Sequence, residues 1–323
     1  MAMITSKTID VNGIRMHVTE AGAGSLVLLC HGFPETSYSW RHQMVALAEA
    51  GHRAVAPDMR GYGRTDRPEA IEDYTVFHLT GDVIGLIAAL GEKQAIVVGH
   101  DWGAVVAWHV ALFRPDVCRA VVAMSVPFQP RNPGKQPIPT YREIAREKGF
   151  GEFYMVRFQE PGLESNFERD LDYTCRSILY TLSGDVPGDQ AWSPFQPAGG
   201  DAFANFAVPD SLPAWLSEDD IAAYVQAFRI SGFRGPLNWY RNLDRNWALM
   251  APFDGLKITP PALFITGSRD AVRLFAPTSE ARLRESVPNL KGMVEIEGAG
   301  HWVQQEAADQ VNRALLDFIR SIS

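Results

Sequence analysis

The chain has 323 residues, 46% of them hydrophobic and 21% charged, the proportions of an ordinary soluble globular protein. That length is long for one simple core and suits a large domain carrying an insertion. With 30 Lys and Arg against 38 Asp and Glu, the net charge is −8, and no basic run is present, which argues against nucleic acid and anionic membranes as partners.

Met1 to Asp10 lacks a basic stretch followed by an apolar one, so no signal peptide is expected. Thr8 to Glu20 alternates around Asn12-Gly13, which predicts a hairpin at the edge of a sheet. Leu26 to Cys30 predicts a short buried strand and Ala54 to Ala56 a second; Val83, Leu86, Ile87 and Leu90 then share one helical face. Gln94 to Val98 has the pattern of a buried parallel strand, Ala104 to Phe113 of a helix behind it, and Ala120 to Met124 of the next strand. Ala95 to Phe113 is apolar enough for a hydropathy scan to flag, but His100, Asp101 and the glycines beside them divide it into strand, turn and helix. Five prolines between Pro127 and Pro139, and a Pro/Gly-rich stretch from Pro252 to Pro261, bracket an insertion. Inside it, Tyr141 to Phe158 and Glu218 to Ser231 predict helices, and Gly184 to Pro213 a loop. Ala262 to Ile265 resumes the strands, and a stripe from Val311 to Ile322 closes the chain with a helix. The expected fold is α/β: a mostly parallel sheet covered by helices on both faces, with core residues 1–129 and 251–323 and a helical cap at 130–250. The three cysteines, Cys30, Cys118 and Cys175, are odd in number and scattered, which fits reduced thiols and a cytoplasmic location.

The most informative segment is Gly99-His100-Asp101-Trp102-Gly103, between the strand at 94–98 and the helix at 104–113. It has the frame of a nucleophile elbow, Gly-x-Nu-x-Gly, in which the glycines remove Cβ atoms that would collide where the strand folds back into the helix. Asp101 stands where a serine hydrolase carries serine. A carboxylate is ionised at neutral pH without help from a base, and its attack on an electrophilic carbon gives an alkyl ester. His301, in Gly298-Ala299-Gly300-His301-Trp302, and Asp270, just past the Ala262 strand, follow in the order nucleophile, acid, histidine of the α/β-hydrolase fold. His301 is the expected base, with Asp270 orienting it. The backbone N–H groups of Trp102 and of Phe33, in His31-Gly32-Phe33-Pro34-Glu35, are the expected oxyanion hole. Glu35 is a candidate for positioning water, against a plain loop role; Asp58 to Gly63 is expected to be loop architecture.

At these residues the chain resembles the epoxide hydrolases of the α/β-hydrolase superfamily. His-Gly-Phe-Pro-Glu (31–35) and Gly-His-Asp-Trp-Gly (99–103) are similar to that family's oxyanion and nucleophile motifs. In the insertion, Tyr154-Met155-Val156-Arg157-Phe158-Gln159 and Asn238-Trp239-Tyr240-Arg241 resemble the segments that carry its two epoxide-binding tyrosines. The resemblance implies that Tyr154 and Tyr240 donate to the epoxide oxygen, a role the chemistry asks for: ring opening generates an alkoxide, and neutral phenols can hydrogen-bond or protonate it. It also implies a small apolar or aromatic epoxide and water as substrates, vicinal diols as products, and no cofactor. No metal or nucleotide motif is present, and the oligomeric state is not readable.

Haloalkane dehalogenases share the aspartate elbow, but commonly bind halide with the Trp after the nucleophile and an Asn after His-Gly, where Phe33 stands here. Fluoroacetate dehalogenases use arginines just after the nucleophile, and this chain has none there. A non-catalytic receptor on the same fold is the alternative of a different class; the intact set Asp101, Asp270 and His301 argues against it. Phe33, Trp102, Phe153, Phe158, Trp192 and Trp239 are expected to line an aromatic pocket.

Overall fold

A computed structural model describes residues 3–147, 149–196, 203 and 206–322. Strands β1 (Thr5–Val11) and β2 (Ile14–Ala21) pair antiparallel across Asn12 and Gly13. Both turn residues have positive φ, 45° and 80°, as a two-residue hairpin loop of the mirror-image type requires. Then β3 (Ser25–Cys30), α1 (Arg41–Glu49), β4 (His52–Pro57), α2 (Val76–Ala89), β5 (Ala95–His100), α3 (Trp102–Phe113) and β6 (Cys118–Met124) alternate.

The insertion follows, with α4 (Pro137–Glu147), β7 (Glu152–Phe153), α5 (Tyr154–Arg157), α6 (Glu164–Glu168), α7 (Leu171–Thr181), β8 (Phe195–Gln196), α8 (Glu218–Ser231), α9 (Arg234–Arg241) and α10 (Leu243–Leu249). The core resumes with β9 (Ala262–Gly267), α11 (Glu280–Ser286), β10 (Leu290–Ile296), α12 (Val303–Glu306) and α13 (Ala308–Ser321).

The eight-stranded sheet has the order β1-β2-β4-β3-β5-β6-β9-β10 and is parallel from β4 to β10. Its central strands β3, β5, β6 and β9 are apolar on both faces because both are covered. In β3, Val27 and Leu29 pack with Met44 of α1 and with Val311 and Leu315 of α13; Leu26, Leu28 and Cys30 face Val83 and Leu86 of α2 and Ala104 and Ala107 of α3. The chain leaves β3 toward β4 on one side and returns to β5 on the other. The loops after β3 and β5 therefore open a crevice at the carboxyl edge, where α/β sheets bind ligands.

The stretch 141–158 is not one helix. α4 begins earlier, at Pro137, and ends in a left-handed turn at Gly149 (φ 65°), where the Phe150 N–H bonds back to the Ala145 carbonyl at 3.0 Å. This is a glycine-terminated helix end of the Schellman kind. β7 then pairs with β8, and the short α5 starts at Tyr154. The predicted loop 184–213 contains β8; part of that loop lies outside the described residues. Glu218 to Ser231 is helical as expected, with a Ser217/Asp220 capping box at its start.

Candidate active site

Asp101 occupies the sharp turn between β5 and α3 with φ 52° and ψ −120°. A non-glycine residue at positive φ is strained by about 1–3 kcal/mol, and the neighbouring glycines explain how the turn is held. A Cβ on Gly99 would lie 2.0 Å from the Gly103 carbonyl oxygen, and one on Gly103 would lie 1.9 Å from the Cys30 carbonyl oxygen. Backbones of β3, β5 and α3 thus meet directly behind the nucleophile.

The Phe33 N–H donates to Asp101 Oδ1 at 2.8 Å, and the Trp102 N–H also stabilises the carboxylate. The Phe33–Pro34 peptide is cis. Asp101 Oδ2 faces His301 Nε2 at 3.8 Å. Burial raises the Asp101 pKa, opposed by the positive charge on His301, by His100 and by the two N–H groups; burial prevails.

His301 Nδ1 lies 3.1 Å from Asp270 Oδ1 and 3.0 Å from Ser125 Oγ. Burial acts to lower the imidazole pKa, but the charge and hydrogen bond of Asp270, with the charges of Asp101 and Glu35, outweigh it and lift it to about 9. Burial likewise raises Asp270, and here the His301 charge and hydrogen bond win, holding that carboxyl below its usual range. Asp270 is fixed by accepting the Val272 N–H at 3.0 Å. The His301 loop is packed against the insertion: its N–H donates to the Leu182 carbonyl at 2.9 Å, and Glu306 accepts the N–H groups of Gly184, Gly300 and Trp302. The small residues before His301 permit that approach, since a Cβ on Gly300 would lie 2.2 Å from the Gly184 nitrogen.

Tyr154 comes from α5 and Tyr240 from α9, their ring centroids 6.1 Å apart. Both line two cavities that meet at Asp101. One, of about 250 Å³, runs past Trp102, Val105 and Phe128; the other, of about 50 Å³, is walled by Phe33, Phe158, Ile178 and His301. Burial first, and then the Asp101 charge, raise both phenol pKa values well above the ordinary value, so both are neutral donors at neutral pH. The Trp102 indole packs edge-to-face against the Tyr240 ring, centroids 5.1 Å apart, and acts to lower that phenol's pKa against burial. Phe33 offers no side-chain donor in place of the Asn that a halide site commonly uses.

Glu35 is fully buried behind this group. Its Oε2 accepts from Gly32 N–H at 3.1 Å and faces His100 Nδ1 at 2.7 Å; its Oε1 accepts from Gln304 and Gln305 at 2.7 and 3.1 Å. Four partners fill the acceptor capacity of a carboxylate, and Glu35 lines neither cavity. His100 Nε2 donates to the His301 carbonyl at 2.7 Å, so Glu35 and His100 brace the oxyanion loop and the histidine loop against each other. His31 is also structural, its Nε2 accepting the Met59 N–H at 2.9 Å.

Of the expected pocket aromatics, Phe153 and Trp239 line neither cavity. The Trp239 indole donates to the Arg60 carbonyl at 3.1 Å, and Phe153 stacks on Tyr141. Asp58 and Arg60 are loop architecture: Asp58 accepts from Ser37 and the Arg64 N–H, and Arg60 forms two hydrogen bonds to Asp82. Ser125, at φ 70° after β6, is the neighbour of His301 that sequence reasoning passed over. Among the described residues no cluster could hold a metal ion, and no helix is long and apolar enough to cross a membrane.

A carboxylate in a strand-to-helix elbow, facing an acid-held imidazole at the edge of a parallel sheet, defines a hydrolase of the α/β-hydrolase fold. The family described as alpha/beta hydrolase fold matches residues 25–308. The chain is 44% identical to an epoxide hydrolase of Caballeronia sordidicola over 97% of its length and 93% of that protein. It is 44% identical to epoxide hydrolase A of Mycobacterium tuberculosis over 100% of its length and 99% of that protein. The solved epoxide hydrolase from an endophytic Streptomyces superposes with a TM-score of 0.94 at 41% identity, covering 99% of this chain and 96% of that one. The chain belongs to the epoxide hydrolases of the α/β-hydrolase fold, enzymes that hydrolyse the ether bond of an epoxide.

Proposed function

We propose that Asp101 opens an epoxide and that His301 then directs water to the resulting ester. The observation that carries this reading is the pair of neutral phenols, Tyr154 and Tyr240, in the two cavities that meet at the Asp101 carboxylate. Because Oδ1 is held by the Phe33 N–H, Oδ2 attacks the oxirane carbon. The carbon–oxygen bond breaks, its electron pair moves to the epoxide oxygen, and that oxygen takes a proton from the phenols.

Alkylation cancels the Asp101 charge, one of those holding His301 protonated, so the imidazole releases that proton to solvent and takes one back when the carboxylate is renewed. The neutral imidazole, oriented by Asp270, removes a proton from water, which attacks the ester carbonyl. The oxyanion forms on Oδ1, already against the N–H groups of Phe33 and Trp102. Collapse breaks the bond from the carbonyl carbon to Oδ2, and His301 returns its proton to the departing alkoxide. The diol leaves with Oδ2, and the proton released by the renewed Asp101 carboxyl replaces the one the phenol lent. Glu35 acts by bracing the loops that hold this geometry; its saturated oxygens do not favour direct water binding.

The mostly apolar cavity walls favour epoxides with aliphatic or aryl arms. The division into core 1–129, cap 130–250 and core 251–323 fits the insertion between β6 and β9. A cytoplasmic location fits three buried cysteines that are all free thiols.

A single turnover in water enriched in heavy oxygen tests the assignment. The expected result is an unlabelled diol with the label in the Asp101 peptide. Label in the diol with none in that peptide means direct attack of water on the epoxide and overturns the ester pathway.

A further inference from the structure

The larger cavity has a polar far end that the reaction at Asp101 does not use. Asp101, Trp102, Val105, Trp108 and His109 line it, at the spacing of one face of α3. Eight residues at 1.5 Å each put His109 about 12 Å along the helix from Asp101. His109 Nδ1 lies 2.7 Å from the Val105 carbonyl. A carbonyl only accepts, so Nδ1 carries the proton and Nε2 is left as an acceptor. Burial lowers the pKa of this ring and keeps it neutral.

Asn246 lines the same cavity. Its Oδ1 accepts the Val76 N–H at 2.9 Å, which settles the orientation of the amide and leaves Nδ2 as a donor. Asn246 is tied to the start of α2 and His109 lies one turn before the end of α3, where those two helices meet. Phe77, next to Val76, stacks on Phe113 at 5.0 Å, and Phe113 packs against His109 at 5.5 Å. Neither His109 Nε2 nor Asn246 Nδ2 has a protein partner among the described residues.

We infer that this end of the cavity, on the reading that Asp101 attacks the epoxide, recognises a hydroxyl at the far end of the substrate's longer arm. The hydroxyl donates to His109 Nε2 and accepts from Asn246 Nδ2. A carboxylate has no proton to give the imidazole and an ammonium has no acceptor for the amide, so a hydroxyl is the group that satisfies both. At ~1.2 Å per bond of an extended chain, 12 Å corresponds to about ten bonds between oxirane and hydroxyl. The arm passes apolar walls, Val105, Phe128 and Leu243 among them, so it is aliphatic: the substrate class is an ω-hydroxy alkyl epoxide.

The test compares two terminal epoxides, 9,10-epoxydecan-1-ol and 1,2-epoxyundecane, which differ by a hydroxyl in place of a methyl. The wild-type enzyme is expected to favour the alcohol by about tenfold in kcat/KM. His109→Phe, which keeps an aromatic ring against Phe113 and lacks the acceptor, is expected to abolish that preference, and so is His109→Leu. The ratio is taken within each protein, so a general loss of activity in a variant does not enter it. A wild-type ratio of one or below overturns the inference, as does retention of the preference in whichever variant folds. Turnover of a short aryl epoxide separates the two levels: present without a hydroxyl preference, it overturns the polar subsite alone; absent for every epoxide, it overturns the reading of Asp101 as well.

Discussion

Replacing His301 with Gln separates the two halves of the reaction and measures the charge the imidazole lends to the nucleophile. With its pKa at about 9, His301 is positively charged at neutral pH, with Nε2 3.8 Å from Asp101 Oδ2. At an effective dielectric constant of ~20, that separation corresponds to roughly 4 kcal/mol of attraction, felt only by the ionised carboxylate. Glutamine keeps a polar group there but no charge. Burial, which already raises the Asp101 pKa, then acts with less opposition, and the carboxylate protonates at higher pH than in the wild type.

Rapid quench followed by intact-mass measurement reads both consequences. An adduct equal in mass to the whole epoxide accumulates on the Asp101 peptide, because hydrolysis without its base slows by about 10²–10⁴. The rate of adduct formation also declines toward acid, with a midpoint at higher pH than the wild-type burst. Adduct formation with the wild-type pH dependence would show that the His301 charge does not act on Asp101. Steady multiple turnover by the variant would remove His301 as the base.

Three further outcomes are expected. In the wild-type ester the Asp101 charge is gone, so His301 titrates below about 9; hydrolysis, followed as recovery of Trp102 fluorescence in stopped flow, accelerates with rising pH and levels off before that value, and continued acceleration beyond it contradicts the assignment. Tyr154→Phe and Tyr240→Phe each slow alkylation by about 10² to 10³, the effect of losing one donor to a developing oxyanion. The loss is greater for Tyr240, whose phenol the Trp102 indole polarises, and the reverse order in single-turnover rates rejects that ranking. Asp82→Ala removes two of the three hydrogen bonds of the Arg60 guanidinium, which is 3% exposed, and leaves only the 3.4 Å bond to the Asn12 carbonyl; urea unfolding should register a loss of about 3–5 kcal/mol, and an unchanged midpoint contradicts it.

The elbow was legible in the sequence because its constraint is local: the frame Gly99-x-Asp101-x-Gly103 records two backbone contacts that allow no Cβ. Asp270 was legible because it follows the Ala262 strand, and His301 because it stands in a small-residue turn before the last helix, the two in the fixed chain order of the fold. Tyr154 and Tyr240 were found through resemblance, since nothing in their spacing distinguishes them from packing aromatics. Other features leave no local trace. β10 escaped recognition because it is an edge strand whose burial is incomplete, with Lys291, Gly292 and Glu295 breaking the alternation. The break between α4 and α5 turns on the left-handed Gly149, with Gly151 and the two-residue β7 after it, too short a signal to stand out inside a helical stretch. Ser125 meets His301 from 176 positions away, and its left-handed backbone is not encoded by its type. His109 and Asn246 look like ordinary polar residues on helices until the cavity that joins them is seen.

The arrangement of the oxyanion loop explains how one set of donors can serve both half-reactions. Before substrate binds, the Phe33 N–H already holds Asp101 Oδ1, so the oxygen that must become the ester carbonyl is chosen in advance and Oδ2 is left to attack. After alkylation the same oxygen stays in place, and the oxyanion of the proposed second step develops where the donor already points. Preorganised dipoles of this kind need no reorientation as charge appears, provided the loop and the elbow cannot drift apart. Their separation is fixed by backbone contact: a Cβ on Gly32 would lie 2.4 Å from Asp101 Cβ, and Gly103 meets the Cys30 carbonyl as closely. The strain at Asp101 is borne by a fully buried β5 and the buried face of α3. Substitution of Gly32 should therefore disturb both half-reactions together, whereas changes at His301 or at either tyrosine fall mainly on one.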